Sequence, residues 1–320
     1  MPAEMWSLEL LAMALLLLPA RLLAFPGRAR APSTALRALH ERTRPDPGRK
    51  SSSDGPSFSA QDLPNVNGLF AVYKPRGLTS NDVVTKCKIA LNKGMASLTG
   101  KRQKIKVGHG GTLDPMAEGV LVLAAGDATK KLAEYLSGSK VYETVGLLGT
   151  ATDTLDREGK VVEAKDAAHV TRELLEASLE HFRGEIWQVP PIYSALKKDG
   201  KKLYELARAG VEVEREPRKV TVYRLRAVDH LEGCDQPIGL PHSFALEVEC
   251  SGGFYVRSLV DDLARRLDTR GHIVFLRRAR QGPFGLEDCL PAQDWKFSEL
   301  VAHIQRSRLK TNSNPTGWVK

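Results

Sequence analysis

Three glycines and a proline fall within the eight residues Gly108-His109-Gly110-Gly111-Thr112-Leu113-Asp114-Pro115, which lie between a basic segment and the apolar run Val120 to Ala125. Such a stretch forms a loop. Glycine permits positive φ angles and lets another molecule approach the main chain, while Pro115 biases Asp114 away from the right-handed helical region. The loop therefore either turns tightly, with Asp114 as a capping carboxylate, or touches a ligand with its imidazole and carboxylate. It lacks the Gly-Lys-Ser/Thr ending of a phosphate-binding loop, and its glycines miss the dinucleotide fingerprint. No Gly-x-Ser-x-Gly places a nucleophile beside His109 and Asp114, and the spacing of Asp153, Asp156 and Glu158 misses the calcium-loop pattern.

Around this loop, strand and helix signals interleave irregularly. Leu69 to Tyr73 reads as a strand, and Asp82 to Leu91 as a helix capped by Thr79 or Ser80. Val120 to Ala125 and Tyr142 to Leu148 read as strands separated by a helix over Ala128 to Leu136. A turn at Asp156 to Gly159 precedes Lys160 to Val162, and Val170 to Phe182 has helical spacing with Thr171 as its cap. Lys201 to Ala209 is predicted helical, Val220 to Ala227 and Ser243 to Cys250 are predicted strands. Tyr255 to Leu267 is predicted helical, with Val256, Leu259, Val260 and Leu263 on one face. The pattern predicts an α+β fold, one mixed-sheet domain over 66–295.

The chain has 320 residues, a net charge of +9 and 42% hydrophobic residues, enough for a core. Residues 1–50 hold eight Lys/Arg against four Asp/Glu, leaving 39 against 34 elsewhere, so the body is only mildly basic. Charge is concentrated in two places. Seven cations and no carboxylate lie from Lys86 to Lys106, and Arg265, Arg266, Arg270, Arg277, Arg278 and Arg280 are opposed only by Asp268. Two such clusters favour a polyanionic partner. Cys87, Cys234, Cys250 and Cys289 show no paired spacing, which speaks against a structural zinc site or a disulfide framework and for a reducing compartment. At the N-terminus, the nine-residue apolar run Leu10 to Leu18 is too short to span a bilayer and is followed by an Arg- and Ala-rich, acid-free stretch. Residues 1–40 thus read as a targeting leader, plastid or mitochondrial, with cytoplasm or nucleus the alternative if the start lies downstream. Residues 41–65 read as a disordered linker.

A set of ordered motifs runs through the body. Lys74-Pro75-x-Gly77-x-Thr79-Ser80 is followed by Gly108-His109-Gly-Gly-Thr-Leu-Asp114-Pro-x-Ala-x-Gly119, Lys140-x-Tyr142 and Leu148-Gly-x-x-Thr152-Asp153-Thr-x-Asp156. Then come Val189-Pro-Pro-x-Tyr193-Ser-Ala-x-Lys197, Tyr204-x-x-Ala207-Arg208, Cys250-Ser-x-Gly-x-Tyr255-x-Arg257-Ser-Leu259 and Leu276-Arg277-Arg278. Together they closely resemble the TruB family of RNA pseudouridine synthases. The likeness spans roughly 210 residues, far more than any one loop could carry.

The resemblance implies a pseudouridine synthase fold, with a central, largely antiparallel mixed sheet flanked by helices. It implies isomerisation of a uridine in RNA, above all the T-loop uridine at tRNA position 55, with other stem-loop RNAs such as mRNA as further substrates. No cofactor or metal is implied, and the mature form is expected to be a monomer free of membrane. By the family's pattern Asp114 is the nucleophile and Arg257 its ion-pair partner. A unit pair at about 4 Å and an effective dielectric of 20 gains roughly 4 kcal/mol gross, which offsets the cost of burying the carboxylate. Tyr142 matches the tyrosine that stacks on a flipped uracil and handles a proton at C5. Tyr255 and Leu276 match residues packed around the base, and His109 matches a histidine that fills the space the base vacates.

Three features depart from the bacterial pattern. Gly110 stands where bacterial members usually carry Thr, about ten residues between Asn92 and Lys106 look inserted, and a second insertion lies near Gly233 to His242. Residues 296–320 form only a short C-terminal tail, too small for a PUA domain, as in the shorter eukaryotic branch. Lys101, Arg102, Lys104 and Lys106 of the basic insert, with Arg277 and Arg278, are candidate contacts to the RNA backbone. A catalytically idle RNA-binding protein and a nucleoside hydrolase remain the alternatives from other classes.

Overall fold

The computed structural model describes residues 63–198, 200–211 and 213–313; the expected leader and all but the end of the linker lie outside them. In chain order, β1 (Gly68–Lys74) leads into α1 (Ser80–Thr99), β2 (Val107–His109) and β3 (Glu118–Ala125), then α2 (Leu132–Ser137), β4 (Lys140–Leu148), β5 (Thr150–Thr152) and β6 (Val161–Ala164). Next are α3 (Arg172–Leu179), β7 (Gly184–Gln188), β8 (Lys197–Lys198), β9 (Lys201–Lys202), α4 (Leu203–Arg208), β10 (Arg218–Val228) and β11 (Ser243–Cys250). The chain continues through α5 (Val256–Arg266), β12 (Gly271–Gln281), β13 (Phe284–Gly285), β14 (Cys289–Leu290) and α6 (Phe297–Ser313).

Ten strands form one sheet in the order β14-β1-β3-β12-β4-β11-β10-β7, with β13 paired to β12 and β2 to β3. Most pairs are antiparallel, and β1 with β14 and β12 with β3 are parallel. The sheet is thus mixed and largely antiparallel, as predicted. β3 reads as an unbroken apolar run because both its faces are covered. Leu121, Leu123 and Ala125 join a core with Phe70 and Val72, while Val120, Val122 and Ala124 join another with Leu69 and Ala71. The period-2 alternation divides each strand between two cores. Val256, Leu259, Val260 and Leu263 of α5 enter the largest core with Phe244, Leu246 and Val248 of β11, the face the sequence pattern assigned to them.

The ends of α1 shape the site. Thr79 is its cap: the hydroxyl accepts from the Asp82 amide at 3.1 Å and the Asp82 carboxylate accepts from the Thr79 amide at 2.9 Å. Ser80 is free for another task, taken up below. The helix runs to Thr99, well beyond the expected Leu91, so much of the basic insert is helical.

Two segments depart from the sequence reading. β12, central in the sheet, went unread because its second half, Arg277-Arg278-Ala279-Arg280, looks like a charge run. The tail expected from 296 is largely α6, which packs on β1. Leu300, Val301 and Ile304 are buried with Phe70, Val72 and Leu121, and the ring of Phe297 lies so close to Gly94 of α1 that a Cβ there would sit 2.0 Å from it. His303 Nε2 also lies 2.8 Å from the Ala71 carbonyl. The domain therefore runs past 295. Replacing the fully buried Ile304 by Ala should cost about 2 to 5 kcal/mol in urea unfolding. An unchanged midpoint would return the segment to the status of a tail.

Candidate functional site

The loop that opened the sequence reading connects β2 to β3 and is held by its backbone. Gly110 O accepts from Gln281 Nε2 at 2.7 Å, and Gly111 O from Arg278 Nη2 at 3.1 Å, while Arg278 Nε donates to Val120 O at 2.7 Å. Leu113 is tied at both main-chain atoms to the Ser80 hydroxyl, its amide donating at 2.8 Å and its carbonyl accepting at 3.2 Å. Lys74, fully buried, donates to Pro75 O, Pro115 O and Ala117 O at 3.0, 3.2 and 2.6 Å. Of the three glycines before Thr112, only Gly111 uses a positive φ, 147°. Farther on, Gly119 at φ 104° lies so close to β12 that a Cβ would sit 2.4 Å from Arg278 O.

Pinned in this way, Asp114 meets Arg257 from the first turn of α5. Arg257 Nε lies 2.9 Å from Asp114 Oδ2 and Nη2 lies 3.2 Å from Oδ1. The guanidinium also donates to Thr154 O at 2.9 Å and Tyr193 O at 2.8 Å. Its side chain is 4% exposed against 30% for Asp114, so the cation is sealed behind a carboxylate that a ligand can still reach. Two parallel N–H···O contacts fix orientation as well as charge.

The pair stands between two pockets. One, about 390 Å³, is lined by Lys140, Tyr142, Arg218, Tyr255, Leu276 and Arg278 together with Asp114 and Arg257. The other, about 520 Å³, is lined by Asn81, His109, Thr154, Glu158, Tyr204 and Arg208 and shares Asp114 and Arg257. Tyr142, Tyr255 and Leu276 are therefore brought together with the acid, whereas His109 faces the second pocket. There its Nδ1 accepts from the Gly111 amide at 3.3 Å. Burial pushes the Tyr142 and Tyr255 phenols up from 10.0, which keeps both protonated near neutrality.

Arg277 and Arg278, expected as contacts to the RNA backbone, are bonded inside the protein instead of standing free on the surface. Arg278 is fully buried on the loop carbonyls, and Arg277, on the next strand position, ion-pairs with Glu143 at 2.6 Å. Their neighbours in sequence are likewise consumed internally: Arg265 by Asp261 at 2.9 Å, Arg270 by Glu163 at 2.6 Å and Arg280 by Glu249 at 2.6 Å. Lys101, Arg102, Lys104 and Lys106 are exposed and lie outside both pockets.

Sequence reasoning quoted Lys74 and Lys140 as motif members and missed their work. Lys140, at the start of β4, donates to Tyr135 O, Leu136 O and Gly138 O at 3.0, 2.8 and 2.6 Å, closing the end of α2 beside Tyr142. Burial lowers its ammonium from 10.5 to about 8. Between those values the unfolded chain holds a proton that the native state has lost, so this lysine makes stability rise with pH across that window. The stability of the wild-type chain relative to Lys140→Met, read from urea midpoints, should accordingly increase from about pH 7.5 to about pH 9.5. A difference independent of pH would contradict this.

Comparison with known proteins agrees with the geometry. A family model described as TruB family pseudouridylate synthase (N terminal domain) matches residues 98–256. The pseudouridylate synthase TRUB1 of Mus musculus is 46% identical over 254 residues, covering 77% of this chain and 72% of its own length. The tRNA pseudouridine synthase B of Stutzerimonas stutzeri is 48% identical over 222 residues, covering 69% and 66%. Among solved structures, a Cbf5-Nop10-Gar1 complex superposes with a TM-score of 0.51 at 27% identity, over 78% of this chain and 60% of that one. An acid–guanidinium pair beside a tyrosine-lined pocket, the ordered motifs that build it and these relatives converge: the chain belongs to the TruB family and is an RNA pseudouridine synthase.

Proposed function

We propose that this chain isomerises a uridine of tRNA, the T-loop uridine at position 55, using Asp114 as nucleophile on a flipped-out base. The reaction breaks the N1–C1′ glycosidic bond, turns the base and joins C5 to C1′; C5 gives up its proton and N1 takes one up, so the change is an isomerisation. Flipping costs a few kcal/mol. Stacking on an aromatic ring recovers about 1 to 3 kcal/mol of it. In this reading Tyr142 stacks on the base, and its buried, protonated phenol suits that role better than that of a base catalyst. Tyr255 and Leu276 pack around the uracil from the same pocket. His109, across Asp114, enters the space the base leaves.

One observation carries the proposal: a partly open carboxylate gripped at two points by a sealed guanidinium, on the wall of a pocket lined by two tyrosines and a leucine. Tyr142 and Tyr255 supply planar apolar surface to such a pocket, and buried Arg278 and Lys140 add positive potential around it. The relatives named tRNA pseudouridine synthase support tRNA as the substrate. Loop uridines of other stem-loop RNAs, mRNA included, present the same group and belong to the proposed range.

Incubation with unmodified tRNA should yield pseudouridine at one T-loop position. Asp114→Ala should abolish product while leaving RNA affinity within a few fold, since the pocket walls remain. Release of free uracil would identify a hydrolase instead, and binding without product an idle RNA-binding protein. Turnover by Asp114→Ala would show that the nucleophile is another group.

A further inference from the structure

The two basic clusters look alike in sequence and fare differently in the fold. The one around Arg265 to Arg280 spends five of its six arginines on carboxylates and loop carbonyls, and the sixth, Arg266, lies against His181. The one from Lys86 to Lys106 does not. Among the described residues, none of Lys88, Lys93, Arg102, Lys104 and Lys106 has a carboxylate within ion-pair distance, whereas some exposed cations elsewhere, such as Arg172 with Asp229 and Arg226 with Glu247, do.

The chain also gathers these five into one place. After α1 ends at Gly100, the segment 102–106 turns back along the helix, and Asn92 fastens it there. The Asn92 side chain accepts from the Ile105 amide at 2.8 Å and donates to the Ile105 carbonyl at 3.3 Å, as a neighbouring strand would. Gln103 adds a bond to the Thr99 hydroxyl at 3.1 Å. Between helix and returning segment lies an open groove of about 680 Å³, edged by the five cations and floored by Ile89, Ala96 and Ile105. Lysine and arginine stems can lie along such a floor with their charged ends in water.

Two elements lead from this groove to the site. β2 begins directly after Lys106 and delivers His109 to the second pocket. α1 starts at Ser80, bonded to Leu113 of the catalytic loop, and Lys88 lies eight residues along it, about 12 Å of helical rise. An RNA seated at Asp114 thus has cations within reach of its flanking phosphates.

We propose that this groove binds the phosphodiester backbone of the substrate RNA outside the reactive loop, a reading that rests on RNA being the substrate of Asp114. Unpaired cations held together at close range repel one another, and a polyanion relieves that repulsion while releasing its own counterions. The contacts are to phosphate, so they add affinity and orientation without reading sequence.

The test compares three full-length proteins: wild type, the groove variant Lys88→Gln/Arg102→Gln/Lys104→Gln/Lys106→Gln, and a control of equal charge change, Lys165→Gln/Arg172→Gln/Arg224→Gln/Arg226→Gln. Affinity for unmodified tRNA is measured against salt concentration, and pseudouridine formation at saturating RNA is followed in parallel. The groove variant should flatten the slope of log affinity against log salt by about 2 to 3 and weaken binding about 10- to 100-fold at moderate salt. Its rate at saturation should stay within about twofold of wild type, and the control should keep the wild-type slope. A groove-variant slope equal to that of the control overturns the proposal and leaves the surface to another partner, such as an acidic protein. The parallel assay separates the two readings. If the wild type forms no pseudouridine, the proposed function fails, while the groove is still decided by the slopes.

Discussion

An ionised carboxylate inside a pocket persists only if something replaces the water it has lost. Here the replacement is Arg257, and much else in the structure serves to bring it to Asp114 in the correct orientation. The guanidinium is buried and spends further hydrogen bonds on Thr154 and Tyr193 carbonyls, so it cannot swing away from the acid without abandoning them. The carboxylate stays partly open. That asymmetry of burial leaves the acid open to a ligand while its partner is held in place, which supports the role proposed for Asp114.

The mounting is mostly backbone and mostly cationic. Lys74 and Arg278 are fully buried and donate to main-chain oxygens of the loop or of the strand it enters, and Ser80 joins the loop to the start of α1. A buried lysine is expensive, and burial lowers the Lys74 ammonium from 10.5 to about 8. Three carbonyl acceptors each for Lys74 and Lys140 offset that cost. The same cations give the pocket a positive potential around its single acid, which suits a phosphate-bearing ligand.

Much of this was legible in the chain. Loop chemistry, the Thr79 cap, the alternation of β11 and the apolar face of α5 all follow from local rules that tertiary packing did not override. The ordered motifs placed Asp114, Tyr142, Tyr255, Arg257 and Leu276 in one site, and the fold gathers these five around one pocket. What local rules could not carry was burial of charge. Arg277 and Arg278 in β12 look like solvated cations, yet their stems cross the sheet to partners more than a hundred residues away. α6 was missed for a related reason: its apolar residues are widely spaced among polar ones, and only contact with β1 shows which matter. The two basic clusters show the same limit, because composition cannot tell a cation with a carboxylate across the sheet from one without.

The central claim is that two-point geometry, beyond charge alone, makes Asp114 productive. Arg257→Lys tests it most directly, because it keeps the positive charge and loses the planar fork. Single-turnover pseudouridine formation on saturating tRNA should fall by about 100-fold or more, as expected when a reactive group is displaced by about 1 Å, while RNA affinity stays within a few fold. A rate close to wild type would contradict the account and reduce Arg257 to a counter-charge.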